Sequence, residues 1–288
     1  MRVLIVSDGR KGHENQAIAY AKLKGAAYDI VHLRFRHPSL KALSYVLDLL
    51  NIYTQKFFEP FVIEGEYDEV VGAGSGTYYG VKLLAKRLGA KAVALMYPKG
   101  FAKGFDTIYA PYHDEAKNAR TIPVNFAYPE PAGLYKPKKR CVALVVGGSN
   151  GVFEMKREHL EDVVRYIFDR FEDHEIALTT SPRTPRPIEE WLDGLAFDYK
   201  VIYSKMPVNP LGDFIHHCDY LFVTIDSTSM ISEAVSGGKA AVEVIELPAK
   251  KTNKFQKMVR NLANMGAVHL FDGNVGDARK KIDLGRYL

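Results

Sequence analysis

Twice in this chain a run of apolar strand formers breaks into a glycine turn. The first is VLIVSDGRKGHENQ, in which Val3–Val6 leads through Gly9 and Gly12 to His13. The second is CVALVVGGSNG, in which Cys141–Val146 leads to Gly147, Gly148, Ser149 and Gly151. A strand that turns through glycine into a helix lets the backbone approach a ligand and leaves amide hydrogens free at the helix start. One such turn opening each half predicts two nucleotide-fold domains with a ligand between them.

The rest of the pattern agrees. Strands are expected at 3–7, 28–33, 69–72, 91–96, 107–110 and 121–124, with helices at 15–24, 40–50 and 77–88. After YPEPAGLYKPKKR (128–140), rich in proline and cations, the alternation restarts with strands at 141–146, 175–180, 201–203, 220–224 and 240–244. Helices are expected at 156–171, 187–192, 209–217, 228–235 and 253–265. Strands alternating with helices imply right-handed βαβ units and parallel sheets. The expected class is therefore α/β: a Rossmann-like, acceptor-side domain over 1–130, a linker over 131–140, and a nucleotide-side Rossmann-like domain over 141–288. The linker follows from its prolines, which favour extended chain.

Charge narrows the partners. The 39 basic and 34 acidic residues leave +5, and the excess is not gathered in one block. Nucleic-acid binding needs a stripe of phosphate-neutralising cations, so nucleic acid is not expected. An anionic small ligand or an anionic membrane surface suits the balance. Cys141 and Cys218 have neither metal nor redox spacing and read as buried reduced thiols. With no apolar run near the ~18 residues of a membrane span, and no signal-peptide pattern, a soluble cytoplasmic protein is expected, with contact to the inner face of a membrane as the membrane-linked variant. The composition does not set the oligomeric state.

Ligands of open parallel sheets bind beyond the carboxyl ends of strands, and four loops there carry suitable residues. In the first, Gly9 and Gly12 admit an anion and His13 is placed to act as a general base, or only to make local contacts at the helix start. In GAGSG (72–76), Ser75 offers a hydroxyl, although turn geometry alone also explains the glycines. The GGSNG loop (Gly147, Gly148, Ser149, Asn150, Gly151) lacks the lysine of a P-loop and the full dinucleotide fingerprint, which argues against ATP hydrolysis and NAD. The fourth, TIDSTSMISEAVSGG, offers Ser227, Thr228 and Ser229 to a diphosphate. Glu233, one helical turn past Ser229, suits sugar hydroxyls. Arg183 in TTSPRTPRP is a candidate phosphate clamp. His113, His216 and His217 have no metal spacing and read as structural, and no metal or cofactor is expected.

SDGRKGHENQ, TTSPRTP and VTIDSTSMISEAVSGGKAAVEV together resemble the mitochondrial-fission "elongated mitochondria" family, in order and over nearly the whole chain. The resemblance implies a GT-B-like fold, with two facing Rossmann domains and an interdomain cleft. The glycine loops and the S-x-x-x-E helix are also similar, more distantly, to the N-acetylglucosaminyltransferase of the bacterial cell-wall lipid precursor. That likeness implies that Gly147–Gly151 and Ser227–Ser229 line a nucleotide diphosphate, that Glu233 holds the ribose, and that His13 faces the acceptor. The chain departs from that enzyme in Arg10 and Lys11, and in a short tail after Phe271 that leaves little for a helix returning to the first domain.

The expected function is a metal-independent, GT-B-type glycosyltransferase-like protein that binds a nucleotide-diphospho-sugar, best a UDP-sugar. The alternative is a non-catalytic adaptor that keeps the fold and recruits partners to a membrane. The segment from Arg34 to Phe61, with Arg36, Leu43, Tyr45, Phe57 and Phe58, bears on both. Apolar residues flanked by cations suit docking on a bilayer or a lipid-linked acceptor. An amphipathic helix packed on a core explains them equally.

Overall fold

A computed structural model of the chain describes residues 1–101, 103–249 and 253–288. It divides into two compact units, Met1–Tyr128 with Leu284–Leu288, and Pro129–Asp283. In the first unit the order is β1 (Arg2–Ser7), α1 (Lys11–Leu23), β2 (Ala27–His32), α2 (Pro38–Leu49), β3 (Glu69–Ala73), α3 (Tyr78–Leu88), β4 (Lys91–Leu95), β5 (Thr107–Pro111) and β6 (Arg120–Ile122). The second unit contains β7 (Cys141–Val145), α4 (Glu158–Arg170), β8 (Glu175–Thr179), α5 (Arg186–Asp193), β9 (Tyr199–Val201), α6 (Leu211–His217), β10 (Tyr220–Thr224), α7 (Thr228–Val235), β11 (Ala241–Ile245), α8 (Lys254–Asn264) and β12 (His269–Leu270).

Each unit has one six-stranded sheet, ordered β2-β1-β3-β4-β5-β6 and β12-β11-β10-β7-β8-β9. All described pairings in both are parallel. Sheets covered on both faces need strands that are apolar throughout. Val3–Val6, the whole of β3 and the whole of β7 are buried accordingly. In the first sheet the strand order reverses between β1 and β3, paired as Val6↔Gly72. In the second it reverses between β7 and β10, paired as Val145↔Val223. Diverging loops at such a switch point leave a crevice beyond the strand ends.

Four expectations change. Helix α1 begins at Lys11, so His13 lies within its first turn rather than ahead of it. The glycines after β7 do not open a helix, because the segment 146–157 separates them from α4. The proline-bearing stretch 131–140 belongs to the second unit. Gly133 and Leu134 donate to the Asp213 carboxylate at 2.9 and 3.0 Å, and Tyr135 is buried with its hydroxyl 3.0 Å from Glu175. A buried acceptor fixes that chain more firmly than its prolines suggest. The tail also returns: Leu284–Tyr287 form a 3₁₀ turn in the first unit, with Leu284 buried.

The two cysteines are buried and unbridged, as expected, but they are also adjacent, with Sγ atoms 2.8 Å apart. Cys141 opens β7 and Cys218 caps α6, so only the fold brings them together.

Candidate functional site

In the second unit, the switch point is organised by Asp226. This carboxylate is fully buried just after β10. It accepts from the Gly148 amide at 2.9 Å, the Thr224 hydroxyl at 2.6 Å and Arg183 Nη2 at 2.8 Å. Thr224 Oγ1 accepts in turn from the Gly147 amide at 2.8 Å, and the Asp226 carbonyl accepts from Asn150 Nδ2 at 3.1 Å. Both glycines are steric necessities. A Cβ at Gly147 would overlap the Asp226 carboxylate, and one at Gly148 would overlap the Arg183 carbonyl. Three loops thus close on one buried anion, each donor offsetting part of its desolvation.

Beside this cluster α7 begins. Ser227 caps it, with its hydroxyl accepting from the Met230 amide at 3.4 Å. Ser229 and Glu233 lie one turn apart on the helix and are both partly buried. Neither side chain has a hydrogen bond or ion pair among the described residues. Burial alone pushes the Glu233 carboxyl up to about 7. A carboxylate held near neutrality, with no partner beside it, is open to a ligand that donates hydrogen bonds.

The first unit's switch point is built around a side-chain pair. His13 Nδ1 is 3.2 Å from both oxygens of Asp8, with 20 % and 13 % of the two side chains exposed. The imidazole lies against Gly74, where any Cβ would collide with the ring, and Asp8 fills the space beside Gly76 in the same way. Gly74 and Gly76 therefore make room for this pair. Gly9, at φ +81°, allows the turn after β1. Its amide donates to Ser7 Oγ at 3.1 Å, and Ser7 donates to buried Glu14 at 2.7 Å. The Ser7 bond leads in holding the Glu14 carboxyl below its usual value, and burial opposes it. Ser75 accepts from Lys41 Nζ at 3.3 Å. An imidazole whose Nδ1 is oriented by a carboxylate leaves Nε2 as the atom that can exchange a proton with a ligand.

The family model of mitochondrial fission ELM1 matches residues 11–284. The chain belongs to this family. A relative in Rickettsia prowazekii (strain Madrid E), the uncharacterized protein RP120, is 22% identical over 327 residues, covering 96% of this chain and 92% of its own. Among solved structures, a Listeria monocytogenes protein assigned as a UDP-N-acetylglucosamine 2-epimerase shares the fold at a TM-score of 0.54 and 14% identity, over 95% of this chain and 84% of that one. Acinetobacter baumannii MurG aligns at 0.48 and 14% identity, over 96% and 87%. The fold is thus α/β of the GT-B-like type, with two Rossmann-like units.

Within this ELM1-family chain the residues singled out from sequence fall into two clusters. Gly147, Gly148, Ser149, Asn150, Arg183, Ser227, Thr228, Ser229 and Glu233 lie in loops at the β7/β10 switch point or on α7, and Gly9, Gly12, His13 and Ser75 lie at the β1/β3 one. Some act differently from expectation. The Gly147 and Gly148 amides, expected to face a diphosphate, are taken by Thr224 and Asp226. Asn150 braces its loop, accepting from the Val152 and Phe153 amides at 2.7 and 3.0 Å, and Ser149 accepts from the Met155 amide at 3.0 Å. Arg183 gives Nη2 to Asp226, and its other guanidinium N–H groups have no hydrogen-bond partner among the described residues. His216 Nε2 donates to the Pro129 carbonyl at 3.0 Å, a structural contact.

Asp8 and Lys41 were not legible as site residues. Asp8 stands five positions before His13 across a glycine turn, a weak signal. Lys41 reaches Ser75 from α2, which no spacing reveals. The place of Asp226 at the centre of the cluster depends on the pairing of β7 with β10. Among the described residues, no group of three or more His, Cys, Asp or Glu side chains is placed to hold a metal ion.

Proposed function

We propose that this protein binds a nucleotide-diphospho-sugar, best a UDP-sugar, and transfers the sugar to an acceptor hydroxyl. The observation that carries the reading is Glu233: a partly buried carboxyl, unpartnered among the described residues, one turn into a helix at a sheet switch point. Ionised, it accepts two hydrogen bonds, the number that a ribose diol offers. Ser229, the start of α7 and the free N–H groups of Arg183 suit the diphosphate. The UDP-sugar in the name of the Listeria neighbour supports the choice of uridine.

In this reading the leaving group departs from the anomeric carbon as nucleoside diphosphate, its charge met by Arg183 and the amides at the start of α7. The acceptor oxygen attacks that carbon and gives up its proton to a general base; His13, its Nδ1 oriented by Asp8, is the residue of the first unit whose chemistry suits that role. A lipid-linked acceptor is the variant that the surface of α2, described below, supports.

The test is binding. UDP and UDP-N-acetylglucosamine are expected to raise the melting temperature; saturation at 100 times Kd stabilises by ~2.7 kcal/mol. Glu233→Ala is expected to remove most of that shift. No response to any uridine nucleotide, alongside a response to ATP or NAD, would overturn the proposal.

A further inference from the structure

Helix α2 is apolar on both faces, with Leu40, Tyr45 and Leu47 packed against the core of the first unit. Its buried residues are Ser44 and Asp48, whereas Leu43, Val46, Leu49 and Leu50 are 44 %, 52 %, 72 % and 61 % exposed. The cause is an ion pair beneath the helix. Asp48 takes the Lys82 ammonium at 2.7 and 2.8 Å, both side chains almost wholly buried, and the Tyr53 hydroxyl at 3.0 Å. Lys82 in turn lies over the rings of Phe101 and Phe105. With the polar stripe pinned inward, positions 43, 46 and 50 align on the opposite face. Phe57 and Phe58, expected to share in docking, are instead core residues, 8 % and 1 % exposed, packed on Tyr79.

The charge around this face is one-sided. The chain has 34 acidic residues, yet between Asp29 and Glu59 the single carboxylate is Asp48, which is buried and paired. Arg34, Arg36 and Lys56 are exposed in the same stretch, and Lys41 is partly so. Exposed aliphatic side chains in a stretch whose exposed charges are all cations match an anionic bilayer, which takes leucine and valine into its acyl boundary and cations among its headgroups. A second copy would set the same cations against one another.

The geometry points to the outer face of α2 as a docking surface for anionic membrane. Leu43, Val46, Leu49 and Leu50 insert, while Arg34, Arg36 and Lys56 engage lipid phosphates. This holds whatever the glycine loops bind. Among the described residues no helix is long and apolar enough to cross a membrane, so the contact is with one leaflet.

The test is co-sedimentation of the full chain with vesicles of phosphatidylglycerol and phosphatidylcholine, against phosphatidylcholine alone. Wild type is expected to pellet with the anionic vesicles and to be released by rising NaCl. Val46→Ser with Leu49→Ser should weaken partitioning about a hundredfold, and Arg34→Gln with Lys56→Gln about 25-fold, roughly fivefold per charge. All four sites are exposed, so the melting temperature should be kept, and the charge pair decides the matter if the apolar pair does not fold. Failure to pellet with anionic vesicles would overturn the proposal, as would pelleting that neither pair of substitutions alters. So would a dimer in sedimentation velocity that the apolar pair abolishes while vesicles are ignored, because the occupant would then be a second copy.

Discussion

Both sheets are six-stranded and parallel, yet their strand orders differ and their switch points are finished differently. At the β7/β10 point the Gly147 and Gly148 amides are consumed by the Thr224 hydroxyl and the buried Asp226 carboxylate, and what remains for a ligand is a helix start, part of an arginine and a glutamate without a partner among the described residues. At the β1/β3 point the glycines serve side chains, giving room to an Asp8–His13 pair. In the proposed reading, one crevice holds charge in a fixed frame and the other moves a proton. Glycine at a strand end therefore signals close approach, and the approaching group can be the protein's own.

The sharpest way to break this contrast is at His13. His13→Ala is expected to lower sugar transfer about 10²–10⁴-fold in single-turnover assays while UDP affinity, measured by calorimetry, is retained. An equal loss of binding would place His13 in the holding site and erase the distinction. Asp8→Asn should follow the same pattern with a smaller loss.

Asp226→Ala tests the rigid frame. It strands the Gly148 amide, the Thr224 hydroxyl and Arg183 around a cavity, with an expected cost of ~3–5 kcal/mol and a fall in melting temperature of about 10 °C. A near-silent substitution would show that the loops close without their central anion.

Glu233 gives two pH dependences of opposite sign. Its carboxyl is raised from 4.5 to about 7 by burial, so its protonated form favours the folded state. That stabilisation is complete below 4.5 and is lost as pH rises through about 7, by ~1–2 kcal/mol for a partly exposed group. UDP affinity should move the other way, strengthening as pH rises through about 7 because the ionised carboxylate is the acceptor. Glu233→Gln should flatten both curves, the first in thermal melts and the second in titration calorimetry. If the affinity curve keeps its shape, another group holds the ribose.

The smallest effect is expected at Ser227. Its cap bond is long at 3.4 Å, so Ser227→Ala should cost about 0.5–1 kcal/mol by chemical denaturation. A loss above about 2 kcal/mol would mean that the α7 start belongs to the rigid frame as fully as Asp226 does.

Much of this was legible in the chain. Apolar runs of strand length, glycine at their ends and helical spacing between them are local properties, so element order, parallel sheets and the loops at the strand ends could be read directly. Even His13 and Glu233 stood out, because helix position and spacing are local too. Their partners did not. Asp8 meets His13 only once β1 lies beside β3 and Gly74 makes room for the ring. Asp226 gathers residues more than forty and more than seventy positions away. Helix α2 is the clearest case. Its leucine spacing is a core pattern by itself, yet only Leu40 and Leu47 pack inward, while the burial of Asp48 against Lys82, 34 residues on, leaves Leu43 and Leu50 facing outward. Periodicity along a chain sets which residues share a face, but which face is buried depends on what the rest of the fold puts beneath it.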